Sequence, residues 1–463
     1  MFQKLVSGGL IVTSITIAQF IVLFAVQIVF ARLLEPAQFG VFAFITIITM
    51  FFNSFVSIYG DKYLIKEKND THKILDTIFT VELIWAFFIL LFCIFILPIL
   101  LTLLDKSHLI EYIQIFCIVL LYNPLIKPKA LFEKELSFVK ANMPMLISHI
   151  IGGIVGIILA YNDYGIWSLV WWKISVVFIE TILIWSILPY KPRLHIDFEI
   201  FKKSLSFGYP LLIGAIIVFI SSNIDYYIID SLMDEKALGF YWMAYQISHY
   251  LFFIRVGINK VLFPVFAKLD NLKSQIKVFN MMTTVTSIIY FIPVFMILLF
   301  AEEIIMFVYG EKWLPSAILL KIFVVIVLIK AVASSVGPLL HSYGHTKADM
   351  ELSFLNLILL PPFIYFFTLY YGTVGTAFAI FVVGNISVIY AYQVYVKKLI
   401  YNGYSLHFSK IFILITFVCL TVMFNNIYTI PFIYKIFIYI VLLITLYIIY
   451  LKDIEIILNK IRN

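Results

Sequence analysis

Long apolar runs without charged residues recur along the whole of this 463-residue chain, and they restrict what it can fold into. A helix needs about 20 consecutive apolar residues to cross the hydrocarbon core of a bilayer. Helices suit that setting because they satisfy their own backbone hydrogen bonds. With 63% hydrophobic residues, only 13% charged residues and a mean hydropathy of +1.05, a soluble globular protein is excluded. The sequence therefore predicts an all-α polytopic membrane protein.

Fourteen runs are long enough to be candidate transmembrane helices. In chain order they cover about 10–31, 41–59, 78–100, 109–125, 142–161, 166–188, 211–229, 238–256, 285–300, 318–335, 354–371, 374–396, 408–424 and 433–450. The first twelve fall into two sets of six, and the last two follow as an addition.

A repeated turn indicates that the two sets are related. The segment ARLLEPAQFG (31–40) ends the first run, and its features return with a constant offset of 199 positions (232 minus 33). The matches are Ser7, Gly9, Leu33, Leu34, Glu35, Gly40 and Phe42 with Ser206, Gly208, Leu232, Met233, Asp234, Gly239 and Tyr241. A weaker echo pairs Gly165 of DYGIWSLV with Gly372 of YYGTVGTA.

These repeats predict the domain organisation. Residues 1–205 and 206–400 would be two six-helix bundles, and 401–463 would hold two further helices and a tail. Because each bundle has an even number of helices, the repeat is parallel, with a shared cavity between the bundles.

The distribution of charge predicts the orientation. Most of the 33 Lys and Arg residues fall on one side of the membrane if the N-terminus is cytoplasmic, as the positive-inside rule requires. Both termini are therefore predicted to be cytoplasmic. The basic stretches 61–76, 127–140 and 259–277 mix bases with apolar residues, as an interfacial amphipathic helix would, or are simply inner loops held on anionic lipid. The net charge of +7 therefore reflects sidedness and does not indicate a nucleic-acid partner.

Charged residues inside the apolar runs are the candidate functional residues, since they are costly at membrane depth. Lys173 and Glu180 share a helix face at i, i+7. Lys173 either lines the cavity, where it would meet a substrate anion, or pairs with a carboxylate on a neighbouring helix. Asp225 either carries a coupling proton or Na⁺ or pairs with a base, and Glu180 is a second coupling-ion candidate.

Three further basic residues are candidates for substrate binding. Lys330 is expected to face the cavity, and Arg32 would lie at the outer interface, where a substrate that leaves the cavity could meet it. Arg255 is the third, although its place near a helix end also fits a side chain that snorkels to the interface, and the same interpretation is given to Glu82 and Lys321. Cysteines and histidines show no metal-ligand spacing, and no cofactor is expected.

Several segments in order resemble one family. They are ARLLEPAQFG, ALFEKELSF (130–138), DYGIWSLV (163–170), FGYPLLIGAIIVFISSNIDYYIID (207–230), ALGFYWMAY (237–245) and GPLLHSYGHTKAD (337–349). Over about residues 1–400 the chain resembles bacterial polysaccharide and O-antigen flippases of the multidrug, oligosaccharidyl-lipid and polysaccharide exporter superfamily. The segment YGDKYLIKEKN (59–69) is more charged than that pattern.

The resemblance implies a fold like that of the multidrug MATE exporters and a function in the bacterial cytoplasmic membrane. The protein would move undecaprenyl-pyrophosphate-linked oligosaccharides by alternating access, for O-antigen, capsule or other exopolysaccharide. Its implied partners are the lipid-linked oligosaccharide, membrane lipids, H⁺ or Na⁺ as coupling ion, and polysaccharide assembly proteins. A cation-coupled exporter of drugs or small organic molecules is the alternative. An enzyme is disfavoured, because the sequence offers no nucleophile and base arrangement or phosphate-binding glycine loop.

Overall fold

The structure is a computed structural model that describes residues 2–67, 70–267, 272–342, 347–396 and 431–444. Within these ranges all regular secondary structure is helical. The α-helices are α1 Phe2–Leu33, α2 Pro36–Val56, α3 Gly60–Lys66, α4 Thr71–Phe95, α5 Leu97–Leu103, α6 Ile110–Phe116, α7 Tyr122–Ile126, α8 Ala130–Lys134, α9 Phe138–Tyr161, α10 Ile166–Ile187, α11 Phe198–Leu232, α12 Glu235–Ala267, α13 Leu272–Val308, α14 Ser316–Val332, α15 Val336–Ser342, α16 Lys347–Ala391 and α17 Phe432–Ile444.

Ten segments of the described chain are long and apolar enough to cross a membrane, so the prediction of a polytopic all-α membrane protein is confirmed. The count of fourteen spans stays a prediction. The thirteenth predicted span, 408–424, lies outside the described residues, and the fourteenth is described only as far as Ile444.

The fourth predicted span is longer than expected and is built from short pieces. Ser107–Lys134 forms one apolar segment in which α6, α7 and α8 alternate with 3₁₀ turns at Cys117–Leu121 and Lys127–Lys129. The first eight residues of the basic stretch 127–140 are therefore helical, and the position of that stretch on anionic lipid stays a prediction. Such 3₁₀ stretches within a helix are often functional hinges or places of strain.

The glycine echo of the sequence corresponds to two matching backbone breaks. Gly165 precedes α10 with φ 55° and ψ −127°, and Gly372 interrupts α16 with φ 58° and ψ −148°. Only glycine enters this region readily, because it has no Cβ. Unbroken, the 45 residues of α16 would be about 68 Å long, over twice the hydrocarbon thickness of about 30 Å. The break at Gly372 thus separates the predicted eleventh and twelfth spans.

The chain divides into two compact units. Unit 1 comprises Met1–Asp230 and Asp234–Gly239, and unit 2 comprises Ser231–Met233 and Phe240–Asn463. The predicted bundle limits of 1–205, 206–400 and 401–463 stay predictions.

Small residues on α9 allow close packing within unit 1. A Cβ added to Gly152 would lie 2.6 Å from the Val176 side chain of α10, and one on Gly153 would lie 2.6 Å from Val26 of α1. Glycine at these positions lets the helix backbones approach closely. These contacts place α10, with Lys173 and Glu180, firmly against α9.

The connection between α10 and α11 is fastened along the start of α4. Asp76 accepts hydrogen bonds from the Tyr190 hydroxyl at 2.7 Å and the Arg193 backbone N–H at 2.8 Å. Thr80 accepts one from the His195 N–H at 3.0 Å, and Thr77 one from the Asp197 N–H at 3.2 Å. The backbone of this connection is therefore held by side chains of unit 1.

Unit 2 is organised around α14, which is buried along nearly its whole length. The buried Lys321 of α14 pairs with Glu302 of α13 at 2.6 Å, so the expectation that Lys321 snorkels to the interface is wrong. On the neighbouring Glu303, Lys435 of α17 forms an ion pair at 2.7 Å. The described part of the added C-terminal region is therefore tied to α13.

Candidate functional site

A buried ionic network in unit 1 is centred on Lys127. The Lys127 ammonium donates to Ser57 Oγ at 2.8 Å and to Asp61 Oδ1 at 3.0 Å, and it lies 3.3 Å from Glu82 Oε2. Glu82 Oε1 accepts a hydrogen bond from the Ile58 backbone N–H at 3.0 Å. We call Ser57, Asp61, Glu82 and Lys127 the Lys127 network. It joins the end of α2, the start of α3, α4 and the second 3₁₀ turn of the fourth span.

Burial makes the charges of this network interdependent. The Glu82 side chain is 0% exposed and that of Lys127 is 8% exposed, so the expectation that Glu82 snorkels to the interface is wrong. A charge that is buried without a partner costs several kcal/mol. Burial raises the pKa of the Asp61 carboxyl, but the ammonium groups of Lys127 and Lys62 together outweigh burial, and the net shift of that pKa is downward. Asp61 is therefore held in its ionised form.

The same 3₁₀ turn reaches a second buried carboxylate. Lys129 Nζ lies 3.7 Å from Glu180 Oε1 on α10, and the Tyr122 hydroxyl donates to Glu180 Oε2 at 2.7 Å. The two lysines of the Lys127–Pro128–Lys129 turn thus approach buried glutamates on two different helices, α4 and α10. Glu180, a coupling-ion candidate from sequence, is one of those glutamates.

Lys173 differs from both of these lysines. It is partly exposed on α10, and its ammonium forms no hydrogen bond or ion pair with any residue that the structure describes. Its electrostatic interactions are with Glu180, seven residues along α10, and with the buried His149 of α9. The alternative that Lys173 pairs with a carboxylate on a neighbouring helix is not seen in the described ranges. Within the described chain, no side chain therefore has to be displaced from the Lys173 ammonium before it can contact an anion.

The repeated turns pack against each other within unit 1. A Cβ on Gly40 would lie 1.8 Å from the Glu235 carbonyl oxygen, and a Cβ on Gly239 would lie 1.9 Å from the Pro36 carbonyl oxygen. Gly40 and Gly239 are equivalent in the 199-residue repeat, and so are Pro36 and Glu235. We call this symmetrical contact the glycine crossing. The repeat found in the sequence therefore corresponds to a real geometric pair.

One ion pair and one contact between a histidine and a carboxylate lie beside the glycine crossing. Lys106 Nζ contacts Asp230 Oδ1 at 3.0 Å, and His108 Nε2 contacts Glu235 Oε1 at 2.5 Å. Lys106 also lies over the ring of Phe44, 5.6 Å from its centroid. These contacts attach the connection between α5 and α6 to the turn between α11 and α12.

The structure describes the side chains of three of the four remaining candidates from sequence. Arg32 is exposed at the end of α1, and Asp225 is buried on α11. Lys330 is an exposed residue of α14, with its Cε 3.9 Å from a Cβ built on Gly384. The side chain of Arg255 lies outside the described residues.

Sequence reasoning did not identify Lys127, Lys129 or Asp61 as part of a buried site. Their basic and acidic neighbours resemble an ordinary inner loop. The sequence feature that could have indicated this site is Glu82, because a carboxylate in an apolar run must either pair with a base or be protonated. Among the described residues, no group of three or more His, Cys, Asp or Glu could hold a metal ion.

A family model for a polysaccharide biosynthesis protein matches residues 29–318, which is more than half of the chain. The chain belongs to this polysaccharide biosynthesis family. The matched region includes the glycine crossing, the Lys127 network and Lys173.

Two similar proteins have informative names. An uncharacterised membrane protein in the cps region of Klebsiella pneumoniae is 23% identical over 82% of this chain and 79% of its own. The lipopolysaccharide biosynthesis protein WzxC of Escherichia coli K12 is 24% identical over 46% of this chain and 44% of its own.

Solved structures share the fold. The lipid II flippase MurJ, in an inward closed conformation, matches with a TM-score of 0.73 and 18% identity over 96% of this chain and 100% of that chain. An inward-facing multidrug resistance MATE transporter matches with a TM-score of 0.62 and 16% identity over 82% and 94%. The expected MATE-like fold is therefore confirmed.

Proposed function

We propose that this protein is a flippase that carries an undecaprenyl-pyrophosphate-linked oligosaccharide across the bacterial cytoplasmic membrane by alternating access. The observation that carries the proposal is the family match over residues 29–318. The name of WzxC, a lipopolysaccharide biosynthesis protein, supports the same class of substrate. The product would be O-antigen, capsule or another exopolysaccharide, and no chemical bond of the substrate would change.

Export of drugs or small organic molecules is the second candidate, and it is less favoured. It is supported by the structural similarity to a multidrug resistance transporter. Because the sequence identity is only 16%, that similarity is evidence for the fold alone. The family match and the names of the similar proteins concern polysaccharides and lipopolysaccharides.

In this proposal Lys173 contacts the anionic pyrophosphate headgroup. Because the Lys173 ammonium forms no ion pair with a described residue, it can form charge-assisted hydrogen bonds to phosphate oxygens without first breaking one there. Lys330, Arg32 and Arg255 are proposed as further contacts of the headgroup or of acidic sugars. Asp225 and Glu180 are proposed to bind a coupling H⁺ or Na⁺.

The proposed setting follows the charge pattern. Both termini and the Lys127 network would lie on the cytoplasmic side. Fourteen spans would form two parallel six-helix bundles and two added helices. Polysaccharide assembly proteins are proposed as partners.

Deleting the gene in its own bacterium and characterising the lipid-linked saccharides tests the proposal. We expect finished repeat units to accumulate on the inner leaflet and surface polymer to disappear, with recovery when the gene is restored on a plasmid. Unchanged surface glycan together with increased drug sensitivity would contradict the proposal and support the exporter.

A further inference from the structure

The Lys127 network contains more negative than positive charge. Two carboxylates, Asp61 and Glu82, share the single ammonium of Lys127. Lys62 also contacts Asp61, at 3.3 Å, but its side chain is 53% exposed and its charge is screened by water. A full negative charge on the buried Glu82 is therefore balanced by Lys127, which also forms an ion pair with Asp61.

The geometry distinguishes the two carboxylates. Asp61 lies closer to the Lys127 ammonium, at 3.0 Å against 3.3 Å, and its side chain is 20% exposed while that of Glu82 is 0% exposed. Glu82 Oε1 accepts the Ile58 N–H, whereas the buried Oε2 accepts no hydrogen bond and lies 3.3 Å from the Lys127 ammonium. Desolvation disfavours the charged form of a carboxylate, and hydrogen bonds favour it. Glu82 is thus the carboxylate of the pair that takes a proton more easily.

We propose that Glu82 is a reversible proton-binding site of unit 1, with Oε2 as the atom that receives the proton. A proton taken from water at the partly exposed Asp61 side neutralises Glu82, and Lys127 then balances Asp61 alone. The charged groups that act on Glu82 are Lys127 on the 3₁₀ turn and Asp61 on α3. On α4 itself, the nearby Asp76 is occupied by Tyr190 and the Arg193 N–H.

The network connects protonation to backbone structure. Glu82 accepts a hydrogen bond from the Ile58 backbone N–H. The carbonyl oxygen of Ile58 packs closely against Gly208 of α11, where an added Cβ would lie only 1.8 Å from it. Because a neutral carboxyl accepts a hydrogen bond more weakly than a carboxylate does, protonation loosens the turn on which α11 rests. This makes Glu82 a positioning residue for α11. Its role in coupling rests on the proposed function, whereas its protonation does not.

Infrared difference spectroscopy on the full-length protein in liposomes tests the site directly. We expect the wild type to show a protonated carboxyl band that titrates with pH, shifts in D₂O and disappears in Glu82→Gln. The matched control is Glu199→Gln, because Glu199 also pairs with a lysine, Lys203, but is exposed. The control should keep the band. A band that is absent from the wild type, or unchanged in Glu82→Gln, overturns the proposal.

A second variant keeps the test decisive if Glu82→Gln folds poorly. Asp61→Asn leaves the Lys127 ammonium to Glu82 alone, so the proton dissociation constant of Glu82 should rise at least tenfold and the titration should move to lower pH. An unchanged or opposite shift contradicts the shared-lysine geometry. Neither measurement involves transport, so failure here leaves the gene-deletion result intact, and failure of that result leaves the proton site intact.

Discussion

Lys127 and Lys173 both lie in apolar segments of unit 1, but their surroundings are opposite. Lys127 is buried and contacts one hydroxyl and two carboxylates. Lys173 is partly exposed and forms no hydrogen bond or ion pair within the described chain. Removing a lysine that has buried partners leaves their charges unpaired, whereas removing a lysine without such partners breaks no ion pair. Membrane depth alone does not distinguish the two roles.

The largest expected effect on stability comes from Lys127→Met, which leaves Glu82 buried without its ammonium. Removing one partner of a buried ion pair costs about 3–5 kcal/mol. We expect a marked loss of membrane abundance and a lower Tm in detergent, measured by immunoblotting and by a thermal-shift assay.

Two variants make that result interpretable. Lys203→Met removes an exposed pair that water screens, so its Tm should stay close to that of the wild type. The double variant Lys127→Met with Glu82→Met removes both buried charges and should recover part of the lost stability. If Lys127→Met is as abundant and heat-stable as Lys203→Met, the distinction between the two lysines fails.

A change without any charge sharpens the comparison. In Gly40→Ala the new Cβ would lie 1.8 Å from the Glu235 carbonyl oxygen, so the backbones at the glycine crossing must separate. Overpacking of this kind costs about 1–3 kcal/mol. We expect a lower Tm for Gly40→Ala than for the wild type, and a lower Tm for Gly239→Ala as well.

The control for the glycine crossing is Gly214→Ala on α11. Nothing lies within 4 Å of a Cβ at Gly214, and alanine favours a helix by about 1 kcal/mol over glycine. Gly214→Ala should therefore leave the Tm unchanged or raise it. Equal destabilisation by Gly40→Ala and Gly214→Ala would mean that the close approach is unimportant.

A smaller effect is expected from acidification. The pKa of Asp61 is lowered on folding, so its carboxylate stabilises the folded state above its unfolded pKa of about 3.9 and loses that contribution as the pH falls through the folded value. Between pH 6 and pH 3, the Tm of Asp61→Asn should fall less than that of the wild type. Identical pH profiles would show that the Asp61 contact with Lys127 does not contribute to stability.

The sequence predicts those parts of the structure that depend on local sequence patterns. Apolar length predicts the spans, and the 199-residue offset predicts the equivalence of Gly40 and Gly239 before their contact is known. Gly165 and Gly372, which are 207 positions apart (372 minus 165), form a separate echo, and their shared dihedral region favours glycine at both places. A backbone conformation that favours a single residue type can therefore be recognised from the sequence.

The Lys127 network cannot be recognised from a local sequence pattern. Lys127 lies 45 positions from Glu82 and 66 from Asp61 (127 minus 82, and 127 minus 61), so nothing local indicates that they meet. The basic run around Lys127 also has the composition of an interfacial loop, and only the continuation of the fourth span as far as Lys134 buries it. For Lys173 the sequence identified the residue but left open whether a neighbouring helix supplies a partner.

Surface polymer measured per unit of membrane protein in Lys173 variants tests the central claim most directly. Because Lys173 has no ion pair in the described chain to lose, Lys173→Ala should keep wild-type abundance and Tm. The same variant should lose surface polymer, and Lys173→Arg should retain at least part of it, because the positive charge is what meets the headgroup. A Lys173→Ala protein that is abundant and fully active would contradict the account.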